Sequence, residues 1–146
     1  MITMNFEQIK MYIHAFFSTK DVVPLISQTL EESLYYRIIF KITQEFKSKV
    51  ININGTEDHV HILFNLNPVF NLSDFLRNVK GETSHWINHE ELTDKKFAWQ
   101  KSYFAYSVSE RDLKKVSRYI DIQKEYHKQY SFLDECNFFL KNGGCN

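Results

Sequence analysis

The chain has 146 residues, a length that fits one domain with a core of its own. Its 18 Lys and Arg balance 18 Asp and Glu. The basic excess usual in nucleic-acid binders is therefore missing, and any such surface has to be local. No apolar run is long enough to span a bilayer and the first ten residues do not read as a secretory leader, so no membrane association and a cytoplasmic location are expected. Cys136 and Cys145 fall late in the chain. They read as incidental thiols or one disulfide, with a reducing compartment as the default.

Residues 11–20 (MYIHAFFSTK) are rich in aromatic and branched side chains and predict a first strand. His14 within it reads as a hydrogen-bonded core residue, with a metal ligand as the alternative. Pro24 marks a break. Leu30, Leu34, Tyr35, Ile38, Ile39, Ile42 and Phe46 then recur at helical spacing and predict an amphipathic helix. Residues 49–54 predict a second strand, and Gly55-Thr56-Glu57-Asp58 a turn into a third that is its antiparallel neighbour.

That third strand carries a chemical signal. Alternate strand residues point to opposite faces, so His59 and His61 share one face while Val60, Ile62, Phe64 and Leu66 share the other. Two adjacent imidazoles can hold one divalent ion, although an isolated His-x-His is more often a pair on a solvated sheet face. Asp58 reads as a turn residue or as a carboxylate that orients His59.

Asn71 is placed to cap a second helix with Leu72, Phe75, Leu76, Val79, Trp86 and Ile87 as its stripe and Gly81 as a weak point. Residues 103–108 predict a last strand. Ser109 is placed to cap a third helix reaching about His127, with Asp112 three residues on, and residues 132–140 form a final segment. The order β-α-β-β-α-β-α is that of an α+β split βαβ fold, an antiparallel sheet with helices on one face. On the third helix Leu113, Val116 and Ile120 form the buried stripe, and Tyr119 and Gln123 are spaced one turn apart. A phenol can serve as a nucleophile, and an amide oxygen is a hard ligand suited to Mg²⁺ or Mn²⁺.

The runs DHVHILF, LSDFLRNVKGETSHWIN and FAWQKSYFAYSVSERDLKKVSRYIDIQKEYH resemble the single-tyrosine HUH transposases of simple bacterial insertion sequences, a family with a branch acting on repetitive extragenic palindromes. His59-Val60-His61 matches the family's His-hydrophobe-His motif, and Tyr119 to Gln123 matches its Tyr-x-x-x-Gln motif. The likeness covers about residues 8–135, within one domain spanning residues 1–146.

What the resemblance implies is concrete. Tyr119 would attack a phosphate of single-stranded DNA beside a hairpin, leaving a 5′-phosphotyrosine and a free 3′-hydroxyl. His59, His61 and Gln123 would hold one Mg²⁺ or Mn²⁺. The protein would be a homodimer, the third helix would carry the nucleophile, and DNA contacts would be sought among Lys20, Arg77, Lys80, Lys114, Lys115 and Arg118. Rival readings are a replication or relaxase-type nickase, a water-using metal hydrolase, and a non-catalytic binder that stacks bases on aromatics. A covalent protein–DNA adduct separates the tyrosine enzymes from the other two.

Overall fold

A computed structural model describes residues 7–144. The elements are β1 (Tyr12–Ser18), α1 (Gln28–Gln44), β2 (Lys49–Gly55), β3 (His59–Asn65), α2 (Leu72–His89), β4 (Phe104–Val108), α3 (Leu113–Asp121), α4 (Gln123–Tyr126) and α5 (Phe132–Asn142). The four strands form an antiparallel sheet in the order β2-β3-β1-β4. The expected α+β split βαβ sheet is thus present.

The alternation read from β3 sets the two faces. Ala15 and Phe17 of β1 and Val60, Ile62 and Phe64 of β3 form one face, and α1 and α2 cover it through Leu34, Ile38, Ile42, Phe75, Leu76 and Val79. Each of these side chains contributes about 1.5–3 kcal/mol by leaving water. Ser27 caps α1 by accepting from Leu30 N, and Asn71 caps α2 by accepting from Asp74 N. Of the expected α1 stripe, Ile39 is exposed and Tyr35 only partly buried, because the stripe facing the sheet is narrower than the run of apolar residues.

The opposite face is covered as well, by the C-terminal third of the chain. Val116 and Ile120 of α3 pack on Leu63, and Phe132, Cys136 and Phe139 of α5 pack on Phe16. Helices therefore lie on both faces, α1 and α2 supplying the layer expected from the split βαβ pattern. Cys136 is buried on α5, and Cys145 lies outside the described residues.

Two expectations about the third helix are corrected. Ser109 precedes a 3-10 turn, Glu110–Asp112, and its hydroxyl bonds Asp112 Oδ2 rather than a backbone N–H, so the α-helix starts only at Leu113. The helix also stops at Asp121 instead of running on to His127. The cause lies on β2. Asn52 Nδ2 donates to Ser117 O at 3.0 Å, and Asn54 Nδ2 donates to Ile120 O at 2.9 Å and Asp121 O at 3.2 Å. The carbonyls of Ile120 and Asp121, which Lys124 and Glu125 would satisfy in a continuous helix, are taken by Asn54 of the sheet. A register shift between Val50 and Asn52 skips exposed Ile51, which keeps both asparagines facing α3 while Val50 and Ile53 pack against the core.

Candidate active site on the histidine face

The site begins with the turn between β2 and β3. Gly55 is required there, since a Cβ on it would lie 2.1 Å from His59 O. Thr56 N donates to that same carbonyl at 3.0 Å, closing the turn. His59 and His61 then project side by side, both fully buried beneath the C-terminal helices.

Each ring is held through its Nδ1. His59 Nδ1 donates to Asp58 Oδ1 at 2.7 Å, so Asp58 both makes the turn, accepting from Thr56 Oγ1, and orients the imidazole. His61 Nδ1 shares a 2.8 Å hydrogen bond with His14 Nε2, which makes His14 a buried partner of His61, as read from its apolar strand. Both Nε2 atoms are thereby turned toward one point. Holding the far nitrogen of a ring in this way is how proteins present imidazole to a metal.

At that point stands Glu135, a residue the sequence reading missed. It is fully buried on α5, and its carboxylate lies 3.2 Å from the Nε2 atoms of both His59 and His61. Gln123 Nε2 donates to it at 2.9 Å, the Tyr119 hydroxyl donates to Oε2, and His127 Nε2 reaches Oε1 at 3.1 Å. Gln123 Oε1 in turn accepts from His59 Nε2 at 2.9 Å. The four site residues expected from the sequence are therefore brought together, around a fifth. A signal for it existed: Phe132, Cys136 and Phe139 form the buried stripe of α5, and Glu135 is a carboxylate on that stripe.

His59, His61 and Glu135 offer ligand atoms that all lie within 4.8 Å of one another. Two imidazole nitrogens, a carboxylate and a neighbouring amide oxygen make a mixed N/O donor set able to hold one divalent metal ion.

The electrostatics agree with a place for positive charge. Burial works against the Glu135 carboxylate, but His61, His127 and His59 outweigh it and hold the group well below the usual carboxylate range. Burial lowers His61 to about 4 and His14 to about 3, so both rings are neutral near pH 7. Burial also opposes charge on His59, yet its bonds to Asp58 and Glu135 win and raise it to about 9. Burial, then the charge of Glu135, push the Tyr119 phenol above its ordinary value.

A family model for "Transposase IS200 like" matches residues 7–123. The chain belongs to the IS200-like transposase family. It is 28% identical over 82 residues to the ISDra2 transposase TnpA of Deinococcus radiodurans, a match over 53% of this chain and 59% of that protein. The chain thus spans about three fifths of that relative's length. Two solved structures share the fold. A candidate transposase from Deinococcus radiodurans superposes with a TM-score of 0.64 at 20% identity, covering 84% of this chain and 98% of the other. A REP-associated tyrosine transposase bound to a REP hairpin superposes with a TM-score of 0.65 at 18% identity, covering 87% and 74%.

The cations expected to meet DNA do not form one surface. Lys114, Lys115 and Arg118 are exposed on α3, and Lys20 is exposed just past the end of β1. Arg77 is exposed on α2 and pairs with Asp74 one turn back. Lys80 is mostly buried. It lies on the buried side of α2, where its ammonium donates to the carbonyls of Gln100 at 2.5 Å, Lys101 at 3.0 Å and Ser102 at 3.3 Å. Those acceptors engage its ammonium, and its side chain also lines the cleft between α2 and residues 96–103. Among the described residues no helix is long and apolar enough to cross a membrane.

Proposed function

We propose that this transposase cleaves and rejoins single-stranded DNA at insertion-sequence ends, with Tyr119 as the nucleophile. One observation carries the reading: in a chain of this family, the Tyr119 hydroxyl meets Glu135 at the same point as the Nε2 atoms of His59 and His61. Tyr119 sits beside histidines of its own chain, its ring centroid 5.8 Å from that of His61.

In the proposed reaction a bond forms between Tyr119 Oη and the scissile phosphorus while the bond from phosphorus to the 3′-oxygen breaks. The phenol gives up its proton as the new bond forms and the departing 3′-oxygen takes one up to become the free hydroxyl, so the net exchange of protons is with solvent. The 5′-phosphotyrosine keeps the phosphodiester energy, so a 3′-hydroxyl from another end can reverse the attack. His59 and His61, with Glu135 and Gln123, would hold Mg²⁺ or Mn²⁺. When bound, the ion supplies Lewis-acid polarisation of the phosphate oxygens. Asp58 and His14 keep the rings aimed, and α5 excludes water from the histidine face. Two copies acting as a homodimer on hairpin-ended DNA would allow two cuts to be exchanged.

The test is to incubate the protein with Mn²⁺ and labelled single strands from the ends of its own element. Wild type should yield a covalent adduct whose label maps to the tryptic fragment containing Tyr119. Tyr119→Phe removes one oxygen, so it should fold and bind DNA normally yet form no adduct. Adduct formation by Tyr119→Phe, or by wild type in chelator, would sink the reading.

A further inference from the structure

Helix α2 is flanked by two clefts of opposite character. The one shared with α1 mixes signs, with Glu32, Glu45 and Glu82 set among Arg37 and Lys41. The other, about 600 Å³, lies between α2 and the strap of residues 96–103 and carries Arg77, Lys80, His85, Lys96 and Lys101. No carboxylate lines it among the described residues. Net charge is zero over the whole chain, so this segregation of sign is local, and a cleft lined by one sign focuses its field.

The walls are built rather than accidental. Asn88 clamps the strap by donating to Phe97 O and accepting from Phe97 N, both at 2.8 Å. Trp99 Nε1 donates to Thr83 Oγ1 at 3.0 Å, and Lys80 holds three strap carbonyls from below. Lys96 and Lys101, exposed on that strap, make no ion pair among the described residues. Arg77 reaches only Asp74, in an exposed pair that contributes little and is easily shared.

Gly81 supplies an independent observation. It lies inside α2, where glycine costs about 0.5–1 kcal/mol relative to alanine. Packing does not ask for it, because a Cβ there would meet nothing within 4 Å. Its effect is to leave bare helix backbone in the cleft wall, the arrangement that lets a ligand approach closely.

The strap that walls the cleft is also tied to the strand beside His59. Gln100 N donates to Ser18 O and Lys20 N to Ala98 O, both at 2.8 Å, so the strap borders the end of β1. Ser18 pairs in register with His59. Exposed Lys20 lies at this same end of the sheet.

We propose that this cleft binds the sugar-phosphate backbone of the DNA on which the site acts, with Arg77, His85, Lys96 and Lys101 facing phosphates and Gly81 giving the strand room. The proposal rests on the DNA-processing function proposed above. Its test is fluorescence anisotropy with a labelled hairpin oligonucleotide carrying a single-stranded tail, titrated over a range of salt. Lys96→Ala combined with Lys101→Ala should weaken binding by about tenfold near physiological salt and reduce the slope of log K against log salt by about 0.7–0.9 per contact removed. Gly81→Leu should weaken binding while leaving the melting temperature unchanged or raised, since leucine favours the helix. Lys49→Ala, exposed on the far edge strand, is the control and should bind like wild type. If the cleft variants keep wild-type affinity and slope, the cleft is overturned while the function stands. If wild type binds no such DNA at all, the function falls and the cleft with it.

Discussion

The two faces of the sheet are made from alternate residues of the same strands, yet they are held together by different forces. The face under α1 and α2 is aliphatic and aromatic, and its cohesion is spread over many side chains. The face under α3–α5 is centred on one carboxylate, Glu135, with three histidines, Gln123 and Tyr119 directed at it. The first face tolerates loss in proportion to the volume removed. The second depends on complete polar pairing, because an unpaired buried group keeps its whole desolvation cost.

The comparison can be broken most severely on the apolar side. Phe75 is fully buried and stacks on Phe64 at 4.8 Å, so Phe75→Ala should cost about 3–5 kcal/mol in chemical denaturation. A loss under about 1 kcal/mol would mean that this face is not the main source of stability.

On the polar side the largest effect should fall on metal affinity. Glu135→Ala removes the oxygen shared by both histidines, and Mn²⁺ binding followed by paramagnetic resonance should weaken by at least about 10–100-fold, the range seen even for supporting partners of a ligand. Unchanged Mn²⁺ affinity would show that Glu135 orients Tyr119 and Gln123 without serving the metal.

The smallest expected effect concerns the seam between the sheet edge and the tyrosine helix. Asn54→Ala frees the carbonyls of Ile120 and Asp121, and should cost about 1–2 kcal/mol of stability. It should also slow adduct formation, because the end of α3 sets the position of Gln123. A variant with wild-type stability and rate would leave the interruption at Ile122 without a role for β2.

Much of this was legible in the chain. The His59 and His61 alternation, the Gly55–Asp58 turn, the cap at Asn71 and the stripes of α1 and α2 all follow from contacts within a few residues, where spacing dictates geometry. Tyr119 and Gln123 were singled out by their spacing and by the family motif they match, although the helix expected to carry both ends between them. Glu135 was not, because it lies 74 residues from His61 and no periodicity links them. Only its place on the apolar stripe of α5 hinted at a buried charge. The burial of Lys80 was hidden for a matching reason: nothing local shows that strap carbonyls lie within reach of its ammonium.

By itself, then, the sequence determined the order of strands and helices and how the residues of β3 divide between its two faces, since local sterics and burial settle both. Tertiary structure decided what stands opposite that face. The return of α5 over the sheet, the ending of α3 by two asparagines of β2 and the cleft beneath the strap all join residues far apart in the chain. Their energies come from desolvated polar contacts, which exist only once the folded core has brought the partners within hydrogen-bond distance.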